Sequence, residues 1–204
     1  MSALTQSPKL LAIDDAARSS LFLDARTANT FSDQAVSDQE LSDIWELARW
    51  APTSANVQPL RLVYVRTDEG KQRLAPFMSD NNRDKTATAP AVAILAADLD
   101  FHEHIPQLFP QRPQLKDAFA DEAMRHQSAR FNAILQAGYF ILAVRAVGLA
   151  AGPMLGFDGP GIDAEFFGDT TFTSILVVNI GHPGEDPWFE RLPRLDHDQV
   201  ITWA

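Results

Sequence analysis

A chain of 204 residues with 46% hydrophobic content can bury a full core and need hold no more than one domain, the expectation for 1–204. Its net charge of −10 and pI near 4.8 argue against a nucleic-acid or anionic-membrane partner, since both need a basic surface, and leave any phosphate-bearing ligand to locally clustered arginines. Without cysteine there is no disulfide, thiolate nucleophile or cysteine metal site, which fits a cytoplasmic protein.

Met1 to Leu11 lacks the basic start and long apolar run of a signal peptide. Lys9 to Ser19 has apolar residues at roughly helical spacing and predicts a helix. Arg26 and Thr27 follow it, and a guanidinium fork beside a hydroxyl is a candidate anion site, with a plain surface arginine as the alternative. Ser37 and Glu40 form a capping box for a helix that places Leu41, Ile44, Trp45, Ala48 and Ala51 on one face, and Pro52 is expected to end it. Leu60 to Arg66 reads as a strand, so Thr53, Ser54, Asn56 and Gln58 sit on a short loop between rigid elements, where ligand-binding groups collect.

A short helix is expected over Lys71 to Phe77, then polar residues from Asn82 to Lys85, then an apolar strand from Ala91 to Ala97. The stretch 98–121, with three prolines, reads as short helices; His102 and His104 are two apart and do not share a helix face, so no metal is expected. Ala123 to Val147 is the longest helical pattern, stopped by Gly148. Asn132, Gln136 and Arg145 interrupt its apolar part, which argues for a buried helix rather than a membrane span, and its breadth calls for the sheet on one side and a second subunit on another. Gly152-Pro153 suits a turn or a close backbone approach to a ligand. Gly161 to Phe167 reads as a helix, Phe172 to Ile180 as a central strand, and the tail ends in an apolar stretch, Val200 to Ala204. No dinucleotide or Walker fingerprint is present.

Four strings, taken together and in order, resemble the FMN-dependent nitroreductase family: Ala25-Arg26-Thr27-Ala28-Asn29, Trp50-Ala51-Pro52-Thr53-Ser54-Ala55-Asn56-Val57-Gln58-Pro59, Gly152-Pro153-Met154-Leu155-Gly156-Phe157-Asp158 and Arg191-Leu192-Pro193-Arg194-Leu195. They are most similar to the malonic semialdehyde reductase branch of pyrimidine breakdown. The resemblance implies an α+β nitroreductase-like fold, with a mostly antiparallel central sheet flanked by helices, in an intertwined homodimer that binds FMN between subunits. It also implies NADH or NADPH as co-substrate and a small-molecule acceptor: malonic semialdehyde reduced to 3-hydroxypropionate, or nitro and quinone compounds more broadly, with a flavin-binding protein without turnover as a further alternative.

By position, the resemblance assigns Arg26, Thr27 and one of Arg191 and Arg194 to the phosphate end. Asn29 stands where the family usually has a basic residue near flavin N1 and O2, and Asn82 and Lys85 match an Asn-x-x-Lys pair at that pyrimidine edge. Pro52, Thr53, Ser54, Asn56 and Gln58 form the family's loop. Pro153 would pack on the ring and the backbone N–H groups of Leu155 and Gly156 would approach N5, with the flavin carrying the chemistry and no catalytic side chain.

Overall fold

The computed structural model describes residues 11–204. In chain order the elements are α1 (Asp15–Arg18), α2 (Asp38–Ala48), β1 (Leu60–Val65), α3 (Asp68–Leu74), α4 (Asp80–Thr88), β2 (Ala91–Asp98), α5 (Ile105–Leu108), α6 (Glu122–Ala146), β3 (Ala150–Met154), α7 (Gly159–Phe167), β4 (Phe172–Gly181) and α8 (His197–Val200). The strands form one antiparallel sheet in the order β1-β2-β4-β3, as the expected fold requires.

The sheet sits between two helical layers because its central strand is apolar on both faces. Every residue of β2 is buried, and the strand's period of two sends alternate side chains opposite ways. Ala91, Ala93, Leu95 and Ala97 join the core under α2 and α6, with Ile44, Ala133 and Phe140. Val92, Ile94 and Ala96 join the other, with Leu74, Ile162 and Phe167. Phe140 is fully buried, and removing such a side chain from water contributes about 1.5–3 kcal/mol.

Helix α2 starts where its capping box predicts: Glu40 N–H donates to Ser37 Oγ at 3.2 Å and Ser37 N–H donates to Glu40 Oε2 at 2.7 Å. The Ser37 hydroxyl and backbone bonds hold the Glu40 carboxyl below its usual pKa. The helix stops at Ala48, short of Pro52. A proline disfavours helical geometry in the residue before it, and the chain tightens early, with Trp50 N–H reaching Leu47 O and Ala51 N–H reaching Ala48 O.

Three other expectations change. The first helix begins only at Asp15, capped by Asp14, and continues as a π-helical turn to Leu23; Lys9 and Leu10 lie outside the described residues. The polar residues 82–85, read from the sequence only as a polar stretch ahead of a strand, are the middle of α4. Gly152 and Pro153 are not a turn but lie within β3, an edge strand paired only with β4, where a proline's missing N–H does not break a ladder on both sides.

Helix α6 spans 25 residues and is buried along Ala129, Asn132, Ala133, Gln136, Ala137, Phe140, Ala143 and Val144. Its other side presents Phe131, Ile134, Leu135 and Tyr139 at 63%, 60%, 42% and 44% exposure, a continuous apolar stripe in a single chain. Beyond β4 the tail is exposed, including Phe189, Leu192, Leu195 and Trp203. No described helix is long and apolar enough to cross a membrane.

Candidate functional site

The predicted site residues fall into two groups. The first is the loop between α2 and β1. Ala55, Asn56 and Gln58 all have positive φ, at 50°, 56° and 42°, a conformation that costs non-glycine residues free energy and persists only where surrounding bonds over-determine it. Those bonds are present. Ser54 N–H donates to Asn132 Oδ1 at 2.8 Å, Asn56 Nδ2 to Leu108 O at 2.8 Å, Gln58 Nε2 to Asn56 Oδ1 at 2.7 Å and Gln58 N–H to Thr53 Oγ1 at 3.3 Å. Arg61 Nη1 donates to Gln58 O at 2.9 Å from β1. Pro52, Ser54 and Asn56 remain exposed, on a loop whose backbone is fixed from beneath.

The second group gathers three separate segments at the β3 edge. The tail is strapped to residues 23–30: Arg26 Nη1 donates to Phe189 O at 3.2 Å, Arg191 Nη2 to Ala25 O at 3.3 Å, Asn29 N–H to Pro187 O at 3.0 Å and Thr30 Oγ1 to Glu185 O at 2.7 Å. Between them lies a cleft of about 300 Å³ lined by Arg26, Thr27, Asn29, Arg191 and Arg194, with Phe189, Glu190 and Leu192. Both tail arginines therefore line it. Among the described residues, Arg26, Arg191 and Arg194 donate to backbone carbonyls and have no carboxylate within ion-pair distance. Three guanidinia and the Glu190 carboxylate thus line one small cleft in a chain of net charge −10.

Two glycines let the remaining segments pack closely. A Cβ on Gly152 would lie 2.9 Å from Ala28 O, so β3 can approach residues 25–31 closely enough for Ala28 N–H to bond Ala151 O at 3.1 Å. A Cβ on Gly156 would lie 2.6 Å from Ser79 Oγ and 2.7 Å from Asn82 Nδ2. With hydrogen there instead, Ser79 N–H and Asn82 Nδ2 each donate to Gly156 O at 3.0 Å and hold the segment just after β3 on α4. Asn179 Nδ2 donates to Lys85 O at 3.1 Å from β4, next to Gly152 in the register. Leu155 is 76% exposed at the end of β3. Asn29 Nδ2 turns back to its own segment at Thr27 O.

One chain does not bring the two groups together. The loop leads into β1 and the second group surrounds β3, the opposite edge strands of the sheet. Three strand spacings separate them, roughly 14 Å across the sheet, too far for side chains on both edges to hydrogen-bond one small ring.

Asn132 and Gln136 belong to the loop's geometry, yet in the sequence they read only as interruptions of an apolar helix. The available signal was their i,i+4 spacing on the face shared with Ala129, Ala133 and Phe140.

Comparison with known proteins agrees in one direction. The Nitroreductase family matches residues 24–182. A protein of Streptomyces coelicolor, provisionally named NADH dehydrogenase/NAD(P)H nitroreductase, is 59% identical over 92% of this chain and 94% of its own. Among solved structures, a provisionally named nitroreductase from Exiguobacterium sibiricum in complex with FMN superposes with a TM-score of 0.81 at 21% identity, covering 97% of this chain and 100% of that one. A provisionally named NAD(P)H:FMN oxidoreductase from Staphylococcus epidermidis gives 0.79 at 23% identity, covering 97% and 99%.

Proposed function

The chain belongs to the nitroreductase family, and on that premise we propose that it is an FMN-dependent NAD(P)H oxidoreductase, working as a cytoplasmic homodimer on a small-molecule acceptor. The observation that carries this reading is the cleft where Arg26, Arg191 and Arg194 converge. The donor set fits a phosphate. Bound FMN supplies the two-electron exchange between nicotinamide and acceptor, which no side chain of this chain can perform.

The protein's own residues hold and tune that group. Arg26, Arg191 and Arg194 would neutralise the phosphate, and the Thr27 hydroxyl would donate a hydrogen bond to it. The backbone N–H groups of Leu155 and Gly156 would orient the ring and Pro153 would pack on it, while Asn82 fixes the segment after β3 through Gly156 O. Lys85 would supply positive charge at the pyrimidine edge, and Asn29, whose amide turns back to Thr27 O, would supply none. Pro52, Thr53, Ser54, Asn56 and Gln58 come from the second subunit, because the opposite-edge placement leaves them out of reach within one chain. The α6 stripe Phe131, Ile134, Leu135 and Tyr139 and the exposed apolar tail support that subunit arrangement, being surfaces a partner would remove from water.

On this assignment Lys85 supplies the positive charge that Asn29 does not. Lys85→Met is expected to lower the two-electron potential of bound FMN, because it removes stabilisation from the negatively charged reduced form alone. A loss of about 1.4 kcal/mol corresponds to about 30 mV. Asn29→Lys is expected to raise the potential. Spectroelectrochemical titration of the three proteins measures both shifts, and unchanged potentials in both variants would remove these residues from the pyrimidine edge.

For the acceptor, we favour two readings in turn. The broad reading is a nitro or quinone reductase, in keeping with the name of the Streptomyces relative. The narrower reading, malonic semialdehyde to 3-hydroxypropionate, rests on strings such as Arg191-Leu192-Pro193-Arg194-Leu195. Anaerobic bleaching of the yellow protein by NADH and NADPH, then reoxidation by malonic semialdehyde, a quinone or a nitroaromatic, separates them. Reoxidation by the semialdehyde no faster than by buffer would exclude the narrower one.

A further inference from the structure

We propose that Asn132 of α6 is the positioning residue for the 53–58 loop, with Gln136 as its second anchor. This rests on the reading above that the loop meets the flavin. Asn132 is 2% exposed and Gln136 0%. Each is an amide inside an otherwise apolar helix face, and each bonds one end of the loop: Asn132 Oδ1 accepts from Ser54 N–H at 2.8 Å, and Gln136 Oε1 accepts from Leu60 N–H at 2.9 Å.

The orientation of Asn132 is fixed from behind, since its Nδ2 donates to Ser128 O at 2.9 Å, one helical turn back. That leaves Oδ1 aimed at the loop in a single orientation. Gln136 Nε2, by contrast, is buried with no partner. Desolvating two amides, and leaving one donor unpaired, costs more than filling the same volume with leucine. What the amides provide that leucine cannot is a fixed backbone for Ser54 to Leu60. The positive-φ run at Ala55, Asn56 and Gln58 lies between the two anchors, where a free loop would relax.

The test combines hydrogen exchange with flavin binding on the full-length protein. In Asn132→Ala, amides of 53–60 are expected to exchange about tenfold faster while those of β2 keep wild-type protection, as befits loss of a single local hydrogen bond. FMN and riboflavin should both bind about tenfold more weakly, because the loop meets the ring and not the phosphate. If the alanine variant does not fold, Asn132→Ser, which can bond back to Ser128 O but is too short to reach Ser54, provides the same comparison. Unchanged exchange at 53–60 overturns Asn132 as the anchor. Faster exchange there with unchanged affinity for both flavins overturns the placement of this loop at the flavin instead. A variant that weakens FMN but spares riboflavin also overturns the proposal, since its effect would then lie at the phosphate.

Discussion

Ile134→Asp is expected to yield a folded monomer that no longer retains FMN. In a single chain Ile134 is 60% exposed, in the stripe it shares with Phe131, Leu135 and Tyr139. A carboxylate at such a position changes the stability of the isolated chain by no more than about 0.5 kcal/mol, the usual range for surface substitutions. Buried against a second copy without a partner, the same carboxylate costs several kcal/mol, which is enough to dissociate a dimer of ordinary affinity. Flavin should leave with the partner, because Ser54 and its neighbours lie at the β1 edge and the arginine cleft adjoins the β3 edge. Circular dichroism should remain that of the wild type, gel filtration should report half the mass, and FMN affinity should fall by more than about a hundredfold, the equivalent of about 2.7 kcal/mol. A monomer that keeps its flavin would mean that one chain completes the site.

Arg26→Ala should weaken FMN by about 1.5–3 kcal/mol, the cost of losing a hydrogen bond to a charged group, and should leave riboflavin nearly unaffected. Arg26 is exposed, and among the described residues its guanidinium holds only one carbonyl, Phe189 O at 3.2 Å. Its removal therefore threatens the fold little. Arg191→Ala is expected to behave in the same way with an added loss of order in the tail, since Arg191 also bonds Leu23 O and Ala25 O. Fluorescence titration with the two flavins measures the difference. Equal losses for FMN and riboflavin would place Arg26 away from the phosphate.

How much of this could be read from the sequence depended on the range of the forces involved. Helix α2 was legible because Ser37 and Glu40 act over three residues, and β2 and β4 because a buried strand is apolar along its length. Helix α4 was not, since it buries only Thr86 and so has no apolar stripe for periodicity to detect. Strand β3 was hidden by Gly152 and Pro153, poor strand formers that an edge position tolerates. At the site, Arg26 and the tail arginines stand over 160 residues apart, and only the order of the four strings suggested that they converge. Asn132 and Gln136 bond partners 78 and 76 residues away, so nothing local marked them as anchors.

The most direct test of a flavin site shared between two copies is light scattering coupled to flavin absorbance on the purified protein. The expected result is one species at twice the 22.5 kDa chain mass carrying two FMN, bleached by NAD(P)H. Flavin eluting with a 22.5 kDa species, or a dimer that takes up no FMN, would contradict it.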